Sequence, residues 1–517
     1  MSESEIPVKK GEVSPDSMGT FMGHPKGLFV LFFAEMWERF SYYGMRALLI
    51  FYLVEHWLFS KPEAGIVYGA YTALVYITPV VGGYLADRYL GQRKAVLFGA
   101  VLLTFGHFLM AFEGTGGQEG TAIKIFWLAL AFIIVGSGFL KANISVIVGQ
   151  LYDRTDKRRD PAYTIFYMGI NLGAALGAIV AGWLGQKYGW KWGFGAAGVG
   201  MLLGLVVFVW GTPLLVGRGE SKYPERLTKK VAGFKFEWFL YVLTFAVVGL
   251  VWFLIQYQKL VGTLLGVAGA ILVAYVLYVA VAKLAREDRD RIFAAMFLIF
   301  GSILFWALFE QAGSSLNLYT DSNVNRTMLG IDVPASLFQS INAIYIVLLA
   351  PVFAALWTWL GNRNMEPSAP AKFGLGLIQL GMGFLVLVAG AYAAGTGNLT
   401  PVVYIFLIYL LHTTGELCLS PVGLSAMNRL APSHMAGLIM GTWFFASAAG
   451  NFAAGLIASA AGAAGEDEEA GAEAVMEVYS KVGWAAVIGG IVVILISPLV
   501  KRLMHLDTLS DDDGKAK

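Results

Sequence analysis

The sequence alternates long apolar runs with short polar connections. A transmembrane helix requires about 20 predominantly apolar residues, and fourteen stretches of the chain meet that requirement. They cover residues 27–59, 64–88, 94–112, 122–152, 160–186, 191–214, 237–257, 261–283, 291–320, 336–361, 372–394, 400–429, 434–463 and 477–500. The pattern therefore predicts an all-α polytopic membrane protein with fourteen transmembrane helices.

The basic residues predict the orientation of these helices. About 27 of the 37 Lys and Arg residues fall on the side of the N-terminus and about 7 fall on the opposite side, while three (Arg39, Arg46 and Lys141) fall deep within the membrane. Because Lys and Arg concentrate in cytoplasmic loops, we expect both termini to be cytoplasmic. The first twenty residues lack the apolar core of a signal peptide, which agrees with this orientation.

The longest basic connection, residues 215–236, divides the chain into unequal parts. Six predicted helices precede it and eight follow, of which the first two (237–257 and 261–283) contain almost no polar residues. We interpret these two as a peripheral, lipid-facing pair inserted between two halves of six helices. Two six-helix bundles are the plan of the major facilitator superfamily, in which substrate binds near mid-membrane between the halves. The expected segments are a tail (1–24), an N-terminal bundle (25–214), a linker with the inserted pair (215–289), a C-terminal bundle (290–503) and a tail (504–517).

Composition narrows the class of protein further. With 57% hydrophobic and 14% charged residues and a mean hydropathy of +0.66, the chain is too apolar for a soluble protein. A net charge of +2 gives no indication of a nucleic-acid partner, and the single cysteine, Cys418, excludes an internal disulfide. The sequence shows no metal-ligand cluster, phosphate loop or nucleophile with a base, so we expect no enzyme, cofactor or metal site.

Residues 34–46 of the first predicted span carry four formal charges, on Glu35, Glu38, Arg39 and Arg46. A charge at mid-membrane costs at least ~2.5 kcal/mol, so such residues normally face a bundle interior or a water-filled cavity and mark a transport path. Spacings of three and four residues place these side chains along one side of the helix. We interpret this span as a helix of a transporter that lines the transport path.

Three further charges lie far from the ends of their spans, on Lys141, Glu310 and Glu416. When the inserted pair is omitted, all embedded charges fall on the first helix of a three-helix unit, so these four helices are expected to line one cavity. A rise of ~1.5 Å per residue sorts the charges into two layers, with Arg46 and Glu310 in the outer layer. We therefore predict two gating salt bridges between the halves, Arg46–Glu310 at the outer side and Lys141–Glu416 at the inner side.

The embedded charges comprise four carboxylates and three bases, which leaves one carboxylate in excess. A buried carboxylate without a partner is disfavoured in its ionised form and tends to hold a proton. This excess is a basis for proton coupling. His107 and His412 are alternative proton carriers, although a lone histidine on an apolar helix is more often a packing residue.

Glycine spacing predicts close helix packing at two places. Gly169, Gly173 and Gly177 recur every fourth residue, as do Gly437 and Gly441. Small residues at this spacing allow two transmembrane helices to approach closely.

Four stretches carry a family resemblance: E-x-x-E-R-F-x-Y-Y-G at 35–44, F-Y-x-x-I-N-x-G at 166–173, F-W-x-x-x-x-Q-x-G-S at 305–314 and G-E-x-x-x-S-P-x-G at 415–423. They resemble the signature stretches of the proton-dependent oligopeptide transporter family, bacterial type. The residues at 87–94 also resemble the superfamily's loop after helix two, and an inserted helix pair is a feature of the bacterial members.

The resemblance implies a proton-coupled symporter that imports di- and tripeptides by alternating access. Residues matching Arg39 and Lys141 face the peptide carboxylate in the family, and the residue matching Glu416 faces the peptide amine. The embedded charges themselves give the candidate proton-coupling residues, which are Glu35, Glu38, Arg39 and Glu310. The implied substrate-binding residues are Arg39, Tyr43, Tyr76, Lys141, Tyr167, Asn171, Trp306, Asn342, Glu416, Ser420 and Trp443.

The physics of the embedded charges agrees with a zwitterionic substrate, because bases on one side and a carboxylate on the other offer each peptide end an opposite charge. Transport of another small anion or zwitterion, such as nitrate or an amino acid, remains an alternative. A membrane enzyme or receptor is a remote one. The expected partners are peptides, protons and the lipid bilayer. We expect a functional monomer in a bacterial inner membrane.

Overall fold

The structure is a computed structural model, and it describes residues 14–153, 156–231, 233–395, 397–432, 435–464 and 471–506. The predicted tails, 1–24 and 504–517, lie largely outside these residues. Within them the regular structure is almost entirely helical, and the strands form only four ladders of two residues per strand.

The N-terminal half contains six long helices that run antiparallel through the membrane. They are α1 (Lys26–Phe51), α2 (Lys61–Leu85), α3 (Gln92–Met110), α4 (Thr121–Gln150), α5 (Arg159–Tyr188) and α6 (Trp190–Gly211). Helix α2 begins at a capping box, in which Ser60 Oγ accepts from the backbone N–H of Glu63 and the Glu63 carboxylate accepts from the backbone N–H of Ser60. Single π-helical turns, Tyr52–His56 and Ala86–Leu90, extend α1 and α2.

A short helix in the linker, the inserted pair and the C-terminal half follow. They are α7 (Pro224–Thr228), α8 (Phe236–Gln256), α9 (Gln258–Lys283), α10 (Arg286–Phe309), α11 (Ser315–Asn323), α12 (Ser340–Gly361), α13 (Ala369–Ala394), α14 (Val403–Leu430), α15 (Ala436–Ala464) and α16 (Gly471–Leu503). The strands are β1 (Thr20–Phe21), β2 (His24–Pro25), β3 (Lys230–Val231), β4 (Phe234–Lys235), β5 (Val324–Asn325), β6 (Thr327–Met328), β7 (Ile331–Asp332) and β8 (Thr400–Pro401).

The short strands join connections at the helix ends. β1 with β2, β3 with β4, and β6 with β7 form antiparallel hairpins, whereas β5 pairs in parallel with β8. The parallel pair places Val324 opposite Thr400 and so ties the end of α11 to the beginning of α14.

Each predicted span corresponds to a helix, which confirms the all-α membrane fold. Among the described residues, thirteen helical segments are long and apolar enough to cross a membrane. The fourteenth is α1, which has the required length but too many charges to be recognised by its apolar character. The predicted span 291–320 corresponds to one membrane-spanning segment, Arg286–Asn323, but this segment is not one regular helix, because α10 ends at Phe309 and a 3₁₀ turn, Glu310–Gly313, precedes α11.

With fourteen crossings, the start of α1 and the end of α16 lie at the same membrane surface. We call this surface the proximal side. The opposite surface, where α1 ends and α2 begins, is the distal side.

The inserted helices pack against both halves. Buried side chains of α8, such as Val248 and Val251, belong to the hydrophobic core of the N-terminal half, and Val276 of α9 belongs to that of the C-terminal half. Their outer faces are exposed: Val242 is 67% and Ile271 is 65% exposed. The pair is therefore peripheral and lipid-facing, as the sequence predicted.

Candidate functional site

Helix α1 is held in place by the glycines of α5. An added Cβ at Gly173 would lie 2.1 Å from the carbonyl oxygen of Met36, and one at Gly177 would lie 2.2 Å from that of Phe40. Only glycine permits α5 to approach the backbone of α1 this closely. The predicted packing of these glycines is therefore present, and it fixes the part of α1 that carries the charges.

Arg39 gathers two carboxylates of its own helix. Its Nε lies 3.1 Å from Oε1 of Glu35 and also contacts Oε2 of Glu38. All three side chains are at least 95% buried. Arg39 Nη2 and Glu35 Oε2 are buried without a hydrogen-bond partner among the described residues, so this cluster retains unused hydrogen-bonding capacity.

Lys141 on α4 faces aromatic rings. Its Nζ lies 3.8 Å from the ring centroid of Tyr76 on α2 and 6.0 Å from that of Tyr42, whose ring also lies 5.4 Å from the guanidinium carbon of Arg39. Cation–π contacts of this kind stabilise a desolvated ammonium group. Within the described part of the chain, Lys141 has no carboxylate at ion-pair distance.

Glu416 on α14 lies in the opposite half. Its Oε2 accepts a hydrogen bond from Asn342 Nδ2 of α12 at 3.1 Å. The same amide group donates to Thr413 Oγ1 at 3.0 Å, which fixes its orientation. As with Lys141, the described residues place no opposite charge at ion-pair distance from Glu416.

The observed pairing refines the charge count. Arg39 is shared by two carboxylates and Arg46 is taken by Glu310. Among the described residues, this leaves one base and one acid, Lys141 and Glu416, without ionic partners, and the two lie on different halves. Both side chains are partly exposed, whereas the paired charges are buried.

The predicted outer pair is formed. Arg46 Nη2 donates to Glu310 Oε2, and the two side chains are 7% and 4% exposed. Arg46 Nε donates to the hydroxyl of Tyr68 on α2 at 2.5 Å. The sequence analysis did not identify Tyr68. The signal that could have identified it is a tyrosine on the otherwise apolar helix α2, which directly follows the charged helix α1. The 3₁₀ turn presents Gly313 to this hydroxyl, since an added Cβ would lie 1.9 Å from it.

The two halves touch at the distal side. Gly69 of α2 packs on Gly455 of α15, where an added Cβ would lie 2.6 Å from the Gly455 Cα. Asn317 of α11 donates to the carbonyl oxygen of Ala47 at 3.1 Å, and Ser336 donates to Gln186 of α5 at 2.7 Å. The distal side of the cavity is therefore closed.

The halves are apart at the proximal side. Gly441 and Gly437 lie on the same face of α15 as Gly455, yet an added Cβ at either would meet nothing within 4 Å. The expected close packing of these two glycines is not present in this structure. Along the facing side of α2, Val80 is 42% and Tyr84 is 55% exposed. The cavity thus opens toward the proximal side.

The remaining predicted site residues are distributed between cavity and core. The ring centroid of Tyr43 lies 5.7 Å from the guanidinium carbon of Arg46. Tyr167 is 44% exposed. Asn171 is buried and donates to the Tyr167 carbonyl of its own helix at 3.0 Å. Trp443 is 7% exposed and packs on Phe373 inside the C-terminal bundle.

Trp306 and Ser420 are partly exposed. The indole Nε1 of Trp306 is buried without a hydrogen-bond partner among the described residues.

His107 and His412, the two histidines predicted within the membrane, are both buried. His107 on α3 is fully buried, with both ring nitrogens unpartnered in the part of the chain that the structure describes. His412 is buried beside Phe384, with ring centroids 4.9 Å apart. Neither geometry contains an ion pair, which favours the packing interpretation.

The sequence and the fold are similar to those of known transporters. A model of the POT family (PTR2) matches residues 93–472. The chain belongs to the POT family. It is 37% identical over 491 residues to the uncharacterized transporter YclF of Bacillus subtilis (strain 168), covering 94% of this chain and 96% of that protein.

Two further POT relatives have names that state a substrate class. The peptide transporter YePEPT of Yersinia enterocolitica subsp. palearctica serotype O:3 (strain YE-P4) is 36% identical over 514 residues, covering 94% of this chain and 96% of that protein. A di-/tripeptide transporter of Lactococcus lactis subsp. cremoris is 32% identical over 511 residues, covering 94% and 97%.

Solved POT structures share the whole architecture. A mutant peptide transporter in complex with alafosfalin superimposes with a TM-score of 0.82 at 36% identity, covering 95% of this chain and 100% of that one. This likeness confirms the predicted major facilitator superfamily fold.

Proposed function

We propose that this POT protein is a proton-coupled symporter that imports di- and tripeptides by alternating access. The observation that carries the proposal is the pair of unmatched charges, Lys141 and Glu416, on opposite halves of one cavity. A short peptide is a zwitterion, so its carboxylate complements Lys141 and its amine complements Glu416. The names of the two relatives with stated substrates support the same substrate class.

Proton coupling follows from the cluster around Arg39. While Glu35 and Glu38 are both ionised, they occupy the guanidinium group. Protonation of one of them releases Arg39 toward the peptide carboxylate, which links proton binding to peptide binding through charge balance. Each net positive charge that enters adds about 2.3 kcal/mol per 100 mV of inside-negative potential.

Alternating access uses the two predicted gates in turn. The Arg46–Glu310 pair holds the distal side closed, and Lys141 with Glu416 is proposed to pair when the proximal side closes without substrate. A bound peptide occupies these two groups and takes the place of their direct pairing. We propose that the proximal side is cytoplasmic, with both termini inside, and that the membrane is a bacterial inner membrane.

The aromatic residues provide contacts that tolerate many peptide side chains. Tyr43, Tyr76 and Tyr167 are proposed to contact peptide side chains, with Trp306 and Trp443 completing the pocket as the C-terminal half moves. Affinity then depends chiefly on the peptide termini. Because cavity and gates belong to a single chain, we propose a functional monomer.

Uptake of radiolabelled dialanine into proteoliposomes tests the proposal. An imposed proton gradient, acidic outside, is expected to drive accumulation above the external concentration, and a protonophore is expected to abolish it. Unlabelled tripeptides should compete, whereas nitrate and free alanine should not. Accumulation of nitrate or free alanine instead of the dipeptide would assign the alternative substrate class.

A further inference from the structure

A second cavity lies on the membrane-facing wall of the N-terminal half, away from the charged cavity. It is a groove of about 710 Å³ between α1, α3, α5 and α6. Its walls are almost wholly apolar and include Trp37 of α1, Phe108 of α3 and Leu203 of α6. The residues of the transport cavity do not contribute to it, so peptide transport does not account for the groove.

The groove has the length of one membrane leaflet. It extends along α6 from Lys191, at the distal end of the helix, to Leu203. Twelve residues at ~1.5 Å per residue span ~18 Å, and half of the ~30 Å hydrocarbon core is ~15 Å. The groove therefore reaches from the distal membrane surface to about the middle of the bilayer.

Lys191, the basic residue of the groove lining, lies at the end of the groove that meets the distal membrane surface. Lys191 and Trp192 are both exposed, and the Lys191 Nζ lies 5.8 Å from the ring centroid of Trp192. The carboxylate of Glu113 accepts from the backbone N–H of Lys191, so it caps the beginning of α6. Among the described residues, the Lys191 ammonium has no carboxylate at ion-pair distance. It is therefore available to an anion at the membrane surface.

Small residues keep the groove open. At Gly195 an added Cβ would meet nothing within 4 Å, because it would project into the groove. At Gly200 an added Cβ would lie 2.4 Å from the ring of Phe40, so α6 lies directly against α1 at this depth. The floor of the groove is thus the membrane-facing side of the helix that carries Glu35, Glu38 and Arg39.

We propose that this groove holds an acyl chain of an anionic glycerophospholipid, with its phosphate at Lys191. The bilayer supplies the occupant, the groove matches the length of a leaflet, and the cation stands where the headgroup phosphate lies. All four lining helices belong to the N-terminal half. The lipid consequently moves with that half and packs against the membrane-facing side of α1. It remains bound in both the inward-open and the outward-open state of the transporter.

Lipid retention by the purified full-length chain tests the site. Delipidated protein in detergent is titrated with phosphatidylglycerol or phosphatidylethanolamine, and bound lipid is counted by native mass spectrometry. We expect one tightly held phosphatidylglycerol per chain and weaker binding of phosphatidylethanolamine. Lys191→Ala is expected to weaken phosphatidylglycerol binding about fivefold, whereas Lys124→Ala, at an exposed lysine near the distal end of α4, should leave it unchanged.

Filling the groove separates a specific site from general lipid contact. Gly195→Leu is expected to remove the tight lipid, whereas Gly249→Leu is its matched control, because Gly249 of α8 also has open space at its Cβ. An unchanged size-exclusion profile shows that each variant is folded. Equal retention by Gly195→Leu and Gly249→Leu, or equal binding of the two lipids, overturns the proposal. The proposal is also overturned if a dimer covers the groove, or if free glycerol 3-phosphate competes with phosphatidylglycerol for the site.

Discussion

Arg46 on α1 donates to Glu310 at the turn between α10 and α11, and this ion pair joins the two halves at the closed distal side. Both side chains are buried, so each compensates a charge that would otherwise be costly. The neighbouring hydroxyl of Tyr68 accepts from the same guanidinium group and lies against Gly313 of the other half. The Arg46–Glu310 ion pair, the Tyr68 hydroxyl and Gly313 therefore lie together at the contact between the two halves.

Replacing Glu310 with Ala is expected to impair proton-driven dialanine uptake strongly. It leaves Arg46 buried without its ionic partner, and breaking such a pair costs about 3–5 kcal/mol. The charge-swapped double variant Arg46→Glu, Glu310→Arg should recover part of the lost transport. If the single variants transport like the wild type and the swap gives no improvement, the pair is not a gate.

Tyr68→Phe is expected to weaken distal closure while leaving the fold intact. The ring remains beside Arg46, but a hydrogen bond to a charged group, worth about 1.5–3 kcal/mol, is lost. Tyr71→Phe is the matched control, because the Tyr71 hydroxyl is buried on the same helix without a partner among the described residues. Reduced uptake in both variants alike would point to general packing and not to the gate.

Lys141→Ala is expected to abolish uptake, since it removes the proposed partner of the peptide carboxylate and one side of the proposed proximal gate. Glu416→Gln should weaken binding of peptides with a free amine more than binding of N-acetylated peptides. Competition against radiolabelled dialanine measures both effects. Normal concentrative uptake by folded Lys141→Ala protein would contradict both roles of the lysine.

Glu35→Gln and Glu38→Gln each imitate a protonated acid beside Arg39. Each is expected to block accumulation driven by a proton gradient, while peptide counterflow, which requires no net proton movement, stays measurable. Uptake by these variants should also lose its increase at acidic external pH, because the group that takes up the proton is missing. If both variants still accumulate peptide, then Glu310, Glu416 or a histidine carries the proton.

Leucine at Gly69 of α2 and leucine at Gly441 of α15 are expected to bias the transporter in opposite directions. Gly69→Leu should prevent distal closure, because Gly455 already fills the space beside it. Gly441→Leu should instead prevent proximal closure, because the two halves must approach there in the other state. Labelling of an engineered cysteine at Val80 by an impermeant maleimide, applied from the proximal side, should fall for Gly69→Leu and rise for Gly441→Leu. Gly249→Leu, on the lipid-facing side of α8, should leave labelling unchanged; the same change in all three variants would contradict this mechanism.

The sequence by itself determined the membrane class, the fourteen helices and the peripheral place of the inserted pair. These properties depend on apolar length and on periodicity, which are local. It also identified the charged residues of the cavity and the Arg46–Glu310 pair, because charges are rare in spans and their depth follows from counting residues along each helix.

Only the tertiary structure decided which charges have partners. Sequence counting left one carboxylate over but could not say which, since the pairing depends on how α1, α4, α10 and α14 meet in space. The fold gives Arg39 two carboxylates and leaves Lys141 and Glu416 unmatched. It also brings Tyr68 to Arg46 and ends α10 just before Glu310. The halves close the cavity at the distal side and leave it open at the proximal side. Each of these results depends on contacts between residues far apart in the chain, which helix periodicity does not encode.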